Sequence, residues 1–76
     1  MRDRMPYVLL RRGLKAHGYN QDDVAALLER SRQYVSDRMN AKGEWMLGEA
    51  YTLLYAIDEP ESELHRFFPS DPYKVV

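Results

Sequence analysis

A polar stretch between positions 32 and 38 carries side chains that could contact a nucleic acid. Arginine can form paired hydrogen bonds with guanine and glutamine with adenine, aspartate accepts from the amino group of cytosine, and serine or tyrosine suits phosphate oxygens. The stretch supplies each of these types in Arg32, Gln33, Tyr34, Ser36, Asp37 and Arg38. A polar helix face is more often simply solvated, so the elements around the stretch decide between the two interpretations.

Two closely spaced short helices are predicted to hold this stretch. Asn20 is a good N-cap for the first, and Asp22 and Asp23 follow where the helix dipole favours negative charge. That helix is expected to end near Glu29, and Ser31 can cap the next one. A break of only two to three residues favours two helices that cross steeply. The expected buried residues are Val24, Ala25, Leu27 and Leu28 in the first helix, and only Val35 and Met39 in the second.

Three further helices complete a predicted all-α fold of five short helices. The first runs from about Pro6 to His17 and stops at Gly18, which suits a left-handed cap. A fourth follows the loop around residues 41–45, and a fifth follows the break at residues 58–60. Proline-rich residues 69–72 end helicity, and residues 73–76 form an extended or loose tail. The apolar stripes are Tyr7, Leu10 and Leu14, then Leu47, Ala50, Tyr51, Leu54 and Ile57, then Leu64, Phe67 and Phe68.

Charge is segregated along the chain although the net charge is only -1. Residues 1–19 have a net charge of +4, residues 30–42 of +3 and residues 58–71 of -4. Affinity for phosphates depends on the local field, so the basic segments leave a nucleic-acid partner open despite the mildly acidic total. The 76 residues form one domain, without cysteine for a disulfide or a thiolate metal site. Short apolar runs argue against a membrane span or signal peptide, so an intracellular protein is expected.

Three runs of residues occur in a fixed order: Gln21–Leu28, then Ser31–Ser36, then Asn40–Lys42. In this order the chain resembles the phage Cro and repressor (XRE-like) helix-turn-helix family, and a phage-associated branch of it in particular. In that branch the recognition helix ends Leu-Asn-Gly-Lys and an aromatic residue follows. The corresponding residues here are Met39–Lys42, followed by the aromatic Trp45. The resemblance extends from about residue 7 to residue 68.

The resemblance implies a lambda-repressor-like DNA-binding domain over residues 1–68 and a short C-terminal tail over residues 69–76. It implies sequence-specific binding of double-stranded DNA, with bases read by Arg32, Gln33 and Asp37. It also implies a phage or prophage repressor that acts by occupying its operator, in the cytoplasm near the nucleoid of a bacterial or phage-infected cell. The implied contacts to the DNA backbone are Gln21, Ser31, Tyr34, Ser36, Arg38, Asn40 and Lys42.

Two turns depart from the pattern of the family. Glu29 and Arg30 stand where glycine and an apolar residue are usual, and Ala41 replaces the glycine after the recognition helix. Glu29 must therefore adopt the left-handed conformation, at a cost of about 1–2 kcal/mol, or the turn must differ. Arg30 would open the turn or add a phosphate contact.

The aromatic C-terminal region leaves two interpretations open. Phe67 and Phe68 complete the core, or one of them joins Tyr73, Val75 and Val76 in a two-fold homodimer interface. A dimer would present two recognition helices roughly 34 Å apart to a pseudo-palindromic operator. An alternative function is a protein-interaction module, antitoxin-like or adaptor, that binds through this acidic region.

No catalytic or cofactor site is expected. His17 and His65 lie far apart and lack acidic neighbours at the spacing of metal ligands, so both are expected at the surface. The glutamates at 59, 61 and 63 fit a charged helix start better than a catalytic pair. Trp45 is expected to plug the core beneath the third and fourth helices. We therefore expect no enzyme activity, no metal and no small-molecule substrate.

Overall fold

Five α-helices build the fold in the computed structural model, which describes residues 5–74. The described residues contain no strand, so the fold class is all-α as predicted. None of the helices in this part of the chain combines the length and the apolar character needed to cross a membrane. The helices are α1 (Val8–Ala16), α2 (Gln21–Leu28), α3 (Arg32–Met39), α4 (Leu47–Ala56) and α5 (Leu64–Phe67), with a 3₁₀ turn at Glu61–Glu63.

Local capping signals fix where most of these helices begin and end. Asn20 caps α2 in a reciprocal capping box, in which its side chain accepts from the Asp23 N–H at 2.8 Å and its own N–H donates to the Asp23 carboxylate at 2.9 Å. Gly18 ends the turn after α1 in the left-handed region, with φ of 80°. Helix α1 begins at Val8, two residues later than predicted, because Tyr7 has a φ of 55°. The predicted fifth helix is split into the 3₁₀ turn and one turn of α5.

One contiguous core lies between the helices. The stripe of α1 is buried as predicted, and so are the two apolar residues of α3. Helix α1 closely approaches the residue that follows α4, since a Cβ at Gly13 would lie 2.8 Å from Ile57 Cδ1. This contact explains a glycine inside α1. The cluster of buried residues consists of Tyr7, Leu10, Leu14, Val24, Ala25, Val35, Met39, Leu53, Leu54, Ile57 and Phe67.

Two leucines that were predicted to be buried are exposed. Leu27 is 41% exposed because the buried face of α2 is centred on Val24, Ala25 and Leu28, and position 27 lies about 100° round the helix from that centre. Leu47 is 58% exposed because it occupies the first turn of α4, beyond the edge of the core. Leu53, which the predicted stripe omitted, is fully buried instead.

An aromatic cluster joins the two ends of the described chain. Trp45 packs edge-on against Tyr7 and Phe68, with ring centroids 6.4 and 6.0 Å apart. Trp45 is therefore half-buried against the residue before α1 and the residue after α5, not simply beneath α3 and α4. The Tyr7 N–H donates to the Pro72 carbonyl at 2.7 Å, which fixes the C-terminal segment to the start of α1.

The residues considered for a dimer interface have different positions. Phe67 belongs to the core and is only 7% exposed, and Phe68 is half-buried in the aromatic cluster. Both phenylalanines thus pack against other residues of their own chain. Tyr73 lies in a turn in which its N–H donates to the Asp71 carboxylate at 3.0 Å, so the described tail is not extended. Val75 and Val76 lie outside the described residues.

Candidate nucleic-acid interface

The turn between α2 and α3 consists of only three residues, Glu29–Ser31. Glu29 takes the left-handed conformation with φ of 55°, so the turn closes tightly without the usual glycine. The N–H groups of Glu29 and Arg30 donate to the carbonyls of Ala26 at 3.2 Å and Ala25 at 3.0 Å. These bonds satisfy the end of α2 and set α3 at a fixed angle against it.

Helix α3 is held to the core by a narrow apolar seam of two residues. Val35 is fully buried and Met39 is 3% exposed. The Ser31 hydroxyl accepts from the Tyr34 N–H at 3.0 Å and caps the helix, so Ser31 has a structural role besides any phosphate contact. The side chains of Arg32 and Gln33 lie exposed on the first turn of α3.

Each of the predicted base-reading residues has a polar partner. The Arg32 Nε lies 3.5 Å from Oδ1 of Asp22, a residue in the first turn of α2. Gln33 donates from Nε2 to the half-buried Asp37 Oδ1 at 2.8 Å, one helical turn later. The structure therefore joins Gln33 to Asp37 on α3 and pairs Arg32 with Asp22, which the sequence analysis placed only as a helix-start acid.

Tyr34 packs inward against a buried carboxylate. Its hydroxyl donates to Glu49 of α4, with oxygen–oxygen distances of 2.8 and 3.0 Å. Glu49 also accepts from the Met46 N–H at 3.1 Å and lies 3.3 Å from the Arg30 Nε. The guanidinium carbons of Arg30 and Arg38 lie 4.7 and 4.1 Å from the centroid of the Tyr34 ring. Tyr34 uses its only hydroxyl proton in the bond to Glu49, so it is not free to donate to a phosphate. Its ring supports the two arginines.

Arg38 is confined by the loop that follows α3. A Cβ at Gly43 would overlap the Arg38 guanidinium, since it would lie 2.9 Å from Cζ. The Arg38 Nε is buried and has no hydrogen-bond partner among the described residues. Glycine at position 43 is therefore required for the observed position of Arg38 over the Tyr34 ring.

The end of α3 is tied to α1 by an arginine that the sequence analysis did not single out. The Arg11 Nη2 donates to the Met39 carbonyl at 2.6 Å and to the Asn40 side-chain oxygen at 3.2 Å. The Arg11 Nε donates to the Pro6 carbonyl at 2.7 Å. Partial burial lowers the pKa of the Arg11 guanidinium. Met39 and Asn40 lie 28 and 29 residues after Arg11, so no local signal in the sequence could have revealed this contact.

The remaining predicted backbone contacts lie around the same face. Ala41 adopts the left-handed conformation with φ of 62°, and Lys42 after it is exposed. The Asn40 amide lies 3.4 Å from the hydroxyl of the half-buried Ser36. Gln21 lines a cavity of about 140 Å³ together with the basic residues Arg11 and Lys15. The seven residues are thus distributed along α3, its two flanking turns and the start of α2.

Neither a scan against protein-family models nor a search of curated proteins finds a match to this chain. No group of three or more acidic, histidine or cysteine side chains that could hold a metal ion occurs between residues 5 and 74. The site consists of a helix with an exposed polar first turn, flanked by basic side chains and joined to α2 by a three-residue turn.

Proposed function

We propose that this chain is a sequence-specific DNA-binding regulator that inserts α3 into the major groove of duplex DNA. The observation that supports the proposal is that α3 combines a narrow buried seam with an exposed polar first turn. Val35 and Met39 are the only buried residues of α3, while Arg32 and Gln33 are exposed on its first turn and Asp37 lies half-buried beside Gln33. An α-helix of this kind fits the major groove, where base edges present distinct patterns of donors and acceptors.

In the proposed complex, basic groups around α3 would contact phosphates on either side of the groove. Lys42 follows the helix, Arg38 lies on its last turn, and Arg11 and Lys15 line the cavity at the start of α2. Such contacts carry no sequence information but fix the register of the protein on DNA. The half-buried Glu59 and the exposed Glu61 lie outside this region, after α4.

The resemblance to the Cro and repressor family extends the proposal to biology. The chain would act as a phage or prophage repressor by occupying an operator that overlaps a promoter. It would bind as a homodimer, because a single small unit makes few phosphate contacts and affinity grows with their number. The lambda-repressor-like helix-turn-helix arrangement and a location at the bacterial nucleoid belong to the same proposal.

Selection of bound sites from a random duplex library tests the proposal directly, followed by titration of the selected site. We expect binding that weakens steeply with salt. Arg32→Ala should cost about 1–3 kcal/mol on the selected site and relax the preference at one position. Lys42→Ala should weaken selected and random duplexes alike. Arg66→Ala removes the same charge at an arginine paired with Glu63, and serves as the matched control.

Two results would contradict the proposal. The first is the absence of duplex binding by the wild-type protein at micromolar concentration in about 50 mM salt, where nonspecific binding is strong for a DNA-binding protein. The second is an Arg32→Ala variant that binds the selected site as tightly as the wild type does.

A further inference from the structure

We infer that Asp22 and Asp37 are positioning residues that orient the two base readers of α3, so that Arg32 takes guanine and Gln33 takes adenine. The inference rests on the proposed DNA-binding function and specifies the bases that this site would select. It also changes the role of Asp37, which the sequence analysis treated as a base reader in its own right.

The bond between Gln33 and Asp37 determines which end of the glutamine amide faces a base. A carboxylate only accepts hydrogen bonds, so the NH₂ end of the amide must face Asp37. At 2.8 Å this bond uses one of the two N–H groups. The carbonyl oxygen and the second N–H of the amide remain available, one as an acceptor and one as a donor. Adenine presents the complementary pair in the major groove, a donor at N6 and an acceptor at N7.

The contact between Arg32 and Asp22 orients the guanidinium in a similar way. Asp22 lies 3.5 Å from the Arg32 Nε, so the two terminal nitrogens remain available. Their N–H groups match the two acceptors of guanine, O6 and N7. Both side chains are well exposed, at 65% for Arg32 and 68% for Asp22. An ion pair this exposed adds little to stability, so its effect lies in the orientation of Arg32.

The negative charges of the two aspartates allow an effect on side-chain orientation to be separated from an effect on DNA affinity. A carboxylate close to phosphates repels them and weakens binding to every duplex. Removal of either carboxylate should therefore tighten binding to random DNA while it flattens a base preference. A residue that served only the stability of α3 would not change the preference at one position.

Parallel site selections with defined variants test the inference. We expect the wild type to prefer adenine at one position by roughly 5- to 150-fold, the range of a good bidentate contact. Gln33→Ala and Asp37→Ala should both flatten that same position, and the double variant should flatten it no further. Asp37→Asn should keep the preference, because its amide oxygen can still accept from Gln33. Asp22→Ala should flatten the guanine position that Arg32→Ala flattens.

The outcomes separate this inference from the proposed function. If Asp37→Ala flattens a different position from Gln33→Ala, Asp37 reads its own base and the inference is wrong. The same holds if the two effects add in the double variant, or if neither aspartate variant changes a preference while duplex binding persists. Complete absence of duplex binding by the wild type would overturn the proposed function, and the inference with it. Thermal unfolding of each variant verifies that it is folded.

Discussion

Glu49 shows how a single buried charge can organise the surface around it. It is 9% exposed, and its carboxylate serves the Tyr34 hydroxyl, the Arg30 guanidinium and the Met46 N–H. A buried carboxylate is stable only when such partners replace its lost hydration. Because Tyr34 belongs to α3 and Met46 precedes α4, this one residue fixes the outer edge of the candidate interface to the rest of the fold.

Glu49→Ala should therefore destabilise the protein by about 1–3 kcal/mol, since it leaves buried donors without an acceptor. Urea unfolding followed by circular dichroism measures the effect. Glu44→Ala removes an exposed glutamate of the neighbouring loop and should stay within about 0.5 kcal/mol of the wild type. Equal stability of the two variants would contradict the role assigned to Glu49.

The burial of the Tyr7 phenol can be tested through the dependence of protein stability on pH. Burial, followed by the negative charge of Glu44, raises the pKa of Tyr7 above its ordinary value of 10.0. The unfolded chain then loses the phenol proton at a lower pH than the folded chain does. The contribution of Tyr7 to stability is therefore complete below pH 10.0 and is lost as pH rises through the folded pKa.

We expect the unfolding free energy of the wild type to fall more steeply above about pH 10 than that of Tyr7→Phe, which has no proton to lose. Urea titrations across this range give the two slopes. Parallel slopes would show that the Tyr7 phenol ionises equally easily in both states.

At the scale of elements, the α2–α3 turn closes despite an unfavourable residue. Glu29 has a φ of 55°, a region that costs a non-glycine residue about 1–2 kcal/mol. Glycine removes that strain and loses part of the gain to its greater freedom in the unfolded chain. Glu29→Gly should therefore raise the unfolding free energy by up to about 1 kcal/mol in a chemical denaturation experiment.

The matched control for that substitution is Ala26→Gly in the middle of α2, at an exposed position with ordinary helical geometry. It should destabilise the protein by about 1 kcal/mol, as glycine does in a helix interior. If both glycine variants are destabilised alike, strain at Glu29 does not limit the stability of the turn.

Features that depend on residues close together in the sequence were predicted correctly, whereas contacts between distant residues were not. The caps at Asn20 and Ser31 were predicted correctly, because capping depends on residues within one helical turn. The all-α class and the buried stripe of α1 were also predicted. The exposure of Leu47 was not, since it depends on where the core ends. Contacts such as Arg11 to the Met39 carbonyl link positions 28 residues apart, which no periodic pattern encodes.

At the scale of the molecule, size limits what one chain can contact. The described residues measure 35 × 28 × 22 Å and include a single copy of α3. Successive major grooves on one side of DNA lie about 34 Å apart, nearly the full length of the chain. One copy can thus place α3 in only one groove, and a pseudo-palindromic operator would need a second copy on the next half-site.

We therefore expect the wild type to bind a selected duplex with two half-sites more tightly than one with a single half-site, and with a sigmoidal dependence on protein concentration. Fluorescence anisotropy on labelled full-site and half-site duplexes measures this, and sedimentation gives the number of chains bound to each. A spacer lengthened by about five base pairs turns the second half-site to the opposite side of the duplex and should abolish the advantage, because one helical turn is about 10 base pairs. Equal affinity for full and half-sites, with one chain bound to each, would show that the protein acts on DNA as a monomer.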